Sequence, residues 1–320
     1  MDKPNKLFSE LSFLQTEKRN PHSTNIDRMS VPEILNLINK EDSQITHSIK
    51  KEISKIAKAT NLVSRAFKLG GRLIYVGAGT SGRLGVIDAA ECPPTFGSSS
   101  HTVRALIAGG NMAMFKAQEG SEDNINLGGS DIKILKVDKK DVVCGIAASL
   151  RTPYVFGALR EAKKRGAKTI LITTNSRKIL NKKTFKYLKD VVDVSICAVV
   201  GPEVLMGSTR MKSGTAQKLI LNMITTTAFI RMGKTYENMM VDLQLTNNKL
   251  RERAKKIIMT ITGVSYSNAE KYLSLSGDHV KTAIVMIVAC VTKTSAQILL
   301  KKSSGFVREA ISLSEKKNYR

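Results

Sequence analysis

The chain has 320 residues, 42% of them hydrophobic, enough to bury one large core or two; its start, MDKPNKLFSELSFLQTEKRN, is too often broken by charge to be a signal peptide or membrane span. Lysines and arginines spread along the whole length give a formal charge of +24, but with no tryptophan and 5% aromatics this argues for a solvated basic surface that attracts small anions, not for nucleic acid. Four scattered cysteines and four scattered histidines indicate neither a disulfide framework nor a metal site, and the expected compartment is the cytoplasm.

Residues 1–61 read as a helical segment, in which Ser30 can cap a helix with Pro32 in its first turn, and Ile45, Ile49, Ile53, Ile56 and Ala57 recur at helical spacing. After Gly70 and Gly71, residues 62–235 alternate short apolar runs with helical stretches. RLIYVG precedes a helix from about Gly82, VRALIAG one from about Asn111, and DVVCGIA one near Pro153; KTILIT, VVDVSICAVV and a long apolar helix over 213–232 follow. Five largely apolar strands separated by helices predict a doubly wound α/β fold, its parallel sheet covered on both faces. From about 236 the strand signal ends, and residues 249–316 read as short helices broken at Gly263, Gly277 and Gly305, giving a small helical domain over 236–320.

Between the first strand and its helix, Gly77-Ala78-Gly79-Thr80-Ser81-Gly82 forms a glycine-rich turn that would bring backbone N–H groups and a helix N-terminus towards an anion. The spacing also fits a dinucleotide site, but such a site wants a carboxylate at the end of the second strand, and that strand ends Ile107-Ala108-Gly109-Gly110. Thr80 and Ser81 add hydroxyl donors suited to a terminal phosphate. Ser149, Arg151 and Thr152 hold the matching place after a later strand, so two hydroxyl-bearing loops converge where parallel sheets bind ligands. Simple helix capping would use the same residues.

The segments TEKRNPHSTNID, GAGTSGRLGVIDAAECPPTFG, LIAGG, DVVCGIAASLRTPYV, GPEVLMGSTRMKSGTAQKLILNM and NMMVDLQLTNNKLRERA closely resemble those of N-acetylmuramic acid 6-phosphate etherases, from about residue 16 to the C-terminal GFVREAI. The resemblance implies a sugar isomerase (SIS) domain, a small C-terminal domain like a ubiquitin-associated fold, and a homodimer. It also implies cleavage of the D-lactyl ether of N-acetylmuramate 6-phosphate by elimination and then hydration, without metal or cofactor, to N-acetylglucosamine 6-phosphate and D-lactate. By motif position it makes Glu91 in AAECPP the acid that protonates departing lactate and Glu122 in EGSED the base at C2, with Glu119 the competitor for the second role. Ser81, Ser149 and Thr152 become phosphate ligands, and Gly79, Thr80, Glu203 and Ser208 line the site. One departure stands out: Leu150 replaces a family glycine, which would strain the backbone if that position needs positive φ and could crowd the pocket.

Opposite tuning of the two carboxyl groups would suit the chemistry. Pro93 and Pro94 are expected to end a helix just after Glu91, leaving it protonated at the negative pole, while Glu122 is expected to open a segment whose N–H groups keep it ionised. His22 is read as solvent-facing. Two other functions share these features. A sugar-phosphate sensor could have kept the fold and lost the chemistry, but the two glutamates argue against it; an aldose-ketose isomerase abstracts a C2 proton without needing an acid at a C3 leaving group.

Overall fold

The computed structural model describes residues 6–318. They divide into an α/β unit, 6–89 with 101–225, and a helical unit, 90–100 with 226–318.

In the α/β unit, α1 (Lys6–Leu11), α2 (Val31–Asp42), α3 (Ile45–Lys50) and α4 (Ile53–Lys68) come first. Ser30 and Glu33 close a reciprocal capping box at the start of α2, the Ser30 N–H donating to Glu33 Oε2 at 2.7 Å. The isoleucine stripe is divided between two helices. Ile45 and Ile49 on α3 and Ile56 on α4 are buried, but the break between the helices shifts the helical phase and leaves Ile53 exposed.

The sheet contains β1 (Leu73–Gly77), β2 (Val103–Ile107), β3 (Val142–Ile146), β4 (Lys168–Thr173) and β5 (Val194–Cys197), all parallel, in the order β2-β1-β3-β4-β5. Between and after the strands lie α5 (Gly79–Phe96), α6 (Ile125–Ile134), α7 (Pro153–Lys164), α8 (Leu188–Val191) and α9 (Lys212–Ile230). All five predicted strands are present. Both faces of the central strands are buried: Ile74, Val76, Val143 and Leu171 share a core with Tyr154, Val155 and Leu159 of α7. The alternate residues Leu73, Tyr75, Ile170 and Ile172 are as deeply buried. Each such side chain contributes roughly 1.5–3 kcal/mol. From β1 the chain goes out to β2 and then returns to β3 on the other side, so the crevice of this fold opens at the C-terminal ends of β1 and β3.

Three local expectations are corrected. No α-helix starts at Asn111: single 3₁₀ turns form at Asn111–Met114 and Ser121–Asp123, separated by the left-handed Gly120 (φ 74°), before α6 begins. Pro93 and Pro94 do not stop α5, which runs through both to Phe96. The stop is Gly97, at φ 58°, whose N–H closes the last turn on the Pro93 carbonyl at 2.9 Å. A short antiparallel pair, β6 (Thr235–Tyr236) with β7 (Met239–Met240), also continues strand structure past residue 236.

The helical unit holds α10 (Asn248–Thr262), α11 (Tyr266–Ser276), α12 (Val280–Val288), α13 (Lys293–Lys302) and α14 (Val307–Asn318) around Ile258, Leu273, Ile284, Leu299 and Val307. Gly263 and Gly277 end α10 and α11 in the left-handed conformation, as their positions predict. No single helix among the described residues is long and apolar enough to cross a membrane.

Candidate active site

The β1–α5 turn is built by three glycines. Gly79 takes φ 53°, and a Cβ on Gly82 would fall 2.7 Å from Ile107 and 2.8 Å from the Gly77 carbonyl, so no larger residue fits where the helix leaves the strand. Helix α5 starts at Gly79, three residues before the predicted start, which places Thr80 and Ser81 in its first turn, where N–H groups lack helical acceptors. Ser81 is buried, and its hydroxyl donates to Gln217 Oε1 at 2.9 Å. Gln217 lies on α9, fully buried, and its Nε2 has no partner. The start of α9 packs beside α5: a Cβ on Gly214 would fall 3.2 Å from Thr80 Cγ2.

The second hydroxyl loop leaves β3, whose Ile146 pairs in register with Gly77 of β1. The two loops therefore spring from adjacent strand ends, about 5 Å apart. Ser149 Oγ accepts from the Arg151 N–H at 3.3 Å. Thr152 stands at the N-cap of α7 with its side chain making no capping bond. Arg151 turns away and pairs with Glu10 at 2.5 Å.

Between Ser149 and Arg151, Leu150 adopts φ 61°, the left-handed region that a glycine occupies without cost. Its side chain does not crowd a pocket; it is fully buried in the core with Leu14 and Tyr154. The two effects oppose each other. Leu150→Gly would relieve about 1–2 kcal/mol of backbone strain but forfeit about 2–5 kcal/mol of core packing. The variant is expected to be net destabilised by about 1–3 kcal/mol in urea unfolding; a variant more stable than the parent would show that strain dominates.

Glu122 and Glu119 both line a hollow of about 160 Å³ whose other walls include Gly79, Ala78 and Arg83, so the glycine turn and the predicted base share one cavity. Desolvation on this wall, helped by the nearby Asp123 and Glu119 carboxylates, raises the Glu122 pKa above its ordinary 4.5. This reverses the expectation that backbone N–H groups would favour its ionised form, since the 3₁₀ turn it occupies is a single turn with little dipole. Glu91 is exposed on α5, within the segment that belongs to the helical unit. Because α5 continues for five more residues, Glu91 lies in the helix body, and the end-of-helix argument does not apply to it.

Glu203 is fully buried, and its carboxylate accepts from the Lys212 and Ser213 N–H groups at 3.0 and 2.9 Å. It caps the start of α9, the helix that carries Gln217. Ser208 is half-buried in the turn before α9, its N–H donating to the Leu205 carbonyl at 3.0 Å. His22 is exposed as read, yet its Nδ1 lies 2.8 Å from Glu41. Glu41 in turn pairs with the buried Lys212 and accepts from Asn20 at 2.9 Å. Sequence reasoning missed Gln217 and this ion pair. The available signal was the polar first half of KSGTAQKLILNM, at the start of a helix read as apolar. Among the described residues no group of three or more His, Cys, Asp or Glu could hold a metal ion.

A 2-1-3-4-5 parallel sheet with hydroxyl-bearing turns at its switch point is a doubly wound α/β domain of the kind to which SIS domains belong. In keeping with it, residues 52–163 match the glucokinase regulatory protein N-terminal SIS domain, and residues 237–279 match the C-terminal lid domain of glucokinase regulatory protein. The N-acetylmuramic acid 6-phosphate etherase of Salinibacter ruber is 53% identical over 95% of this chain and 96% of its own length. That of Clostridioides difficile is 48% identical over 97% and 99%. The chain belongs to the N-acetylmuramic acid 6-phosphate etherase family. Among solved structures, phosphoheptose isomerase from Neisseria gonorrhoeae aligns with a TM-score of 0.44 at 14% identity, over 62% of this chain and 98% of that one.

Proposed function

We propose that this chain is an enzyme that cleaves the D-lactyl ether of N-acetylmuramate 6-phosphate, giving N-acetylglucosamine 6-phosphate and D-lactate. The observation that carries this reading is 53% identity to an etherase over nearly both whole lengths; the paired hydroxyl loops at adjacent strand ends support it.

The phosphate is held by Ser81, Ser149 and Thr152 with the first-turn N–H groups of α5. Gln217 can serve Ser81 in either state: its Oε1 accepts the serine proton in the free enzyme, and its unpartnered Nε2 can donate to Oγ once that proton turns to the phosphate. With the phosphate fixed and the sugar ring open, C2 lies next to the aldehyde and its proton is acidic. Glu122 takes that proton, the C3–O bond breaks, and its electron pair leaves with lactate, which takes a proton from Glu91. Water then adds at C3 and a proton returns to C2. A raised pKa makes Glu122 the stronger base while it remains ionised. The working form is a cytoplasmic homodimer, with catalysis in the SIS domain over 62–235.

Incubation with N-acetylmuramate 6-phosphate is expected to release D-lactate in equal amount to N-acetylglucosamine 6-phosphate. Intact sugar-phosphate binding without lactate release would instead identify a sensor.

A further inference from the structure

Ser149 sits in a loop whose other residues are each tied to a part of the α/β unit far away in the chain. The Ala148 carbonyl before it accepts from Asn175 Nδ2 and from the Thr173 hydroxyl, both at 2.9 Å. Leu150 after it is buried in the same core as Leu14. Arg151 pairs with Glu10 at 2.5 Å. Ser149 itself is held only by its own loop: its Oγ accepts from the Arg151 N–H at 3.3 Å, and its proton has no acceptor among the described residues.

All of these ties lead back to one short stretch of chain. Asn175 is fully buried, and its other end, Oδ1, accepts the Gln15 N–H at 2.6 Å. With a backbone acceptor on one side and a backbone donor on the other, the amide fits in one orientation alone. Gln15 begins the 3₁₀ turn Gln15–Glu17, so its N–H lacks a helical acceptor and is free to meet Asn175. An ion pair, a shared core and an amide bridge therefore run from residues 10–15 to the three residues that flank Ser149. Leu14 alone would suffice to cover the core. A fully buried amide, by contrast, is costly unless both of its bonds are made, so it specifies where the two backbones lie.

We infer that residues 10–15 are a brace that sets the position of Ser149, and that Asn175 is a positioning residue through which the brace acts on the sugar phosphate. The inference rests on the reading of Ser149 as a phosphate ligand. With the backbone fixed on both sides, the Ser149 hydroxyl meets the phosphate without the loop having to order on binding, which appears as affinity and not as faster chemistry.

Calorimetric titration of the full chain with N-acetylglucosamine 6-phosphate tests this as a double-mutant cycle. Ser149→Ala and Asn175→Ala are each expected to weaken binding about tenfold, and the double variant no more than the weaker-binding single one. A general loosening of the fold would instead add to the Ser149→Ala loss. Asn175→Ala keeps the Thr173 bond to Ala148, so the end of β3 stays tied to β4. Gln15→Pro approaches the brace from the other side. It deletes the N–H, and Leu14 already has the extended backbone that a following proline requires (φ −81°, ψ 132°). It too is expected to weaken binding, again only while Ser149 is present, with KM raised and kcat for lactate release nearly unchanged. Loss in Ser149→Ala with unchanged binding in Asn175→Ala or in Gln15→Pro, or losses that add in the double variants, would overturn the inference and leave the phosphate reading standing. Full affinity in Ser149→Ala would overturn that reading, and the brace with it.

Discussion

Replacing Glu122 with glutamine is expected to lower the rate of D-lactate release by about 10²–10⁴-fold while leaving sugar-phosphate affinity within a factor of a few. Glutamine keeps the size and polarity of the side chain on the hollow it shares with Gly79 but cannot accept the C2 proton. Glu119→Gln is the necessary companion, because Glu119 lines the same hollow and is one of the charges that raise the Glu122 pKa. Removing it should leave the enzyme active and move the acid limb of the pH profile downwards. In the parent, kcat/KM should fall with acid around a pKa above the ordinary glutamate 4.5, since the ionised base is lost as pH drops through that raised value. A larger loss in Glu119→Gln than in Glu122→Gln would exchange their roles.

The second large effect concerns stability. Lys212→Met is expected to destabilise the α/β unit by about 3–5 kcal/mol, because it strands the Glu41 carboxylate inside the protein with only Asn20 and the His22 ring beside it. Glu41→Leu combined with Lys212→Met should recover most of that loss, as removing both charges also removes the desolvation cost. Burial works to raise the Glu41 pKa, but Lys212, His22 and Asn20 together outweigh it and hold the group below 4.5. A folded-state pKa below the unfolded one stabilises the fold fully above about 4.5, and the contribution drains away as pH falls through the lowered value. Urea midpoints measured from neutral pH to pH 3 should therefore drop more steeply for the parent than for the double variant.

The elements that could be read from sequence were those where one local pattern dictates the outcome. Apolar β-branched runs such as KTILIT have no stable place other than a buried strand, and Gly263 and Gly277 end helices because they take the left-handed conformation freely. What escaped depends on neighbours distant in the chain. The proline pair lies inside α5 without ending it, and Gly97, whose left-handed backbone depends on no pattern before it, makes the actual stop. Leu150 keeps a left-handed backbone because Leu14 and Tyr154 provide a core for its side chain. The glycine turn and the hydroxyl loop after β3 were legible from residue types as turns at the ends of adjacent strands. Glu203 was not legible as a cap, because its partners Lys212 and Ser213 follow a loop whose path the sequence does not reveal.

Helix α5 has one further implication, for dissection of the protein. Its second half, with Glu91, belongs to the same body as the C-terminal helices, and that body is assembled from two separate stretches of chain. Phe96 stacks on Phe229 with ring centres 4.5 Å apart, and Gly97 lies too close to the Asp242 carbonyl to admit a side chain. Severing the polypeptide near residue 226 would thus not detach a tidy module. It would strip the scaffold from the stretch that carries the proposed proton donor, and a shortened product would keep its glycine turn and hydroxyl loops yet lose the support of Glu91.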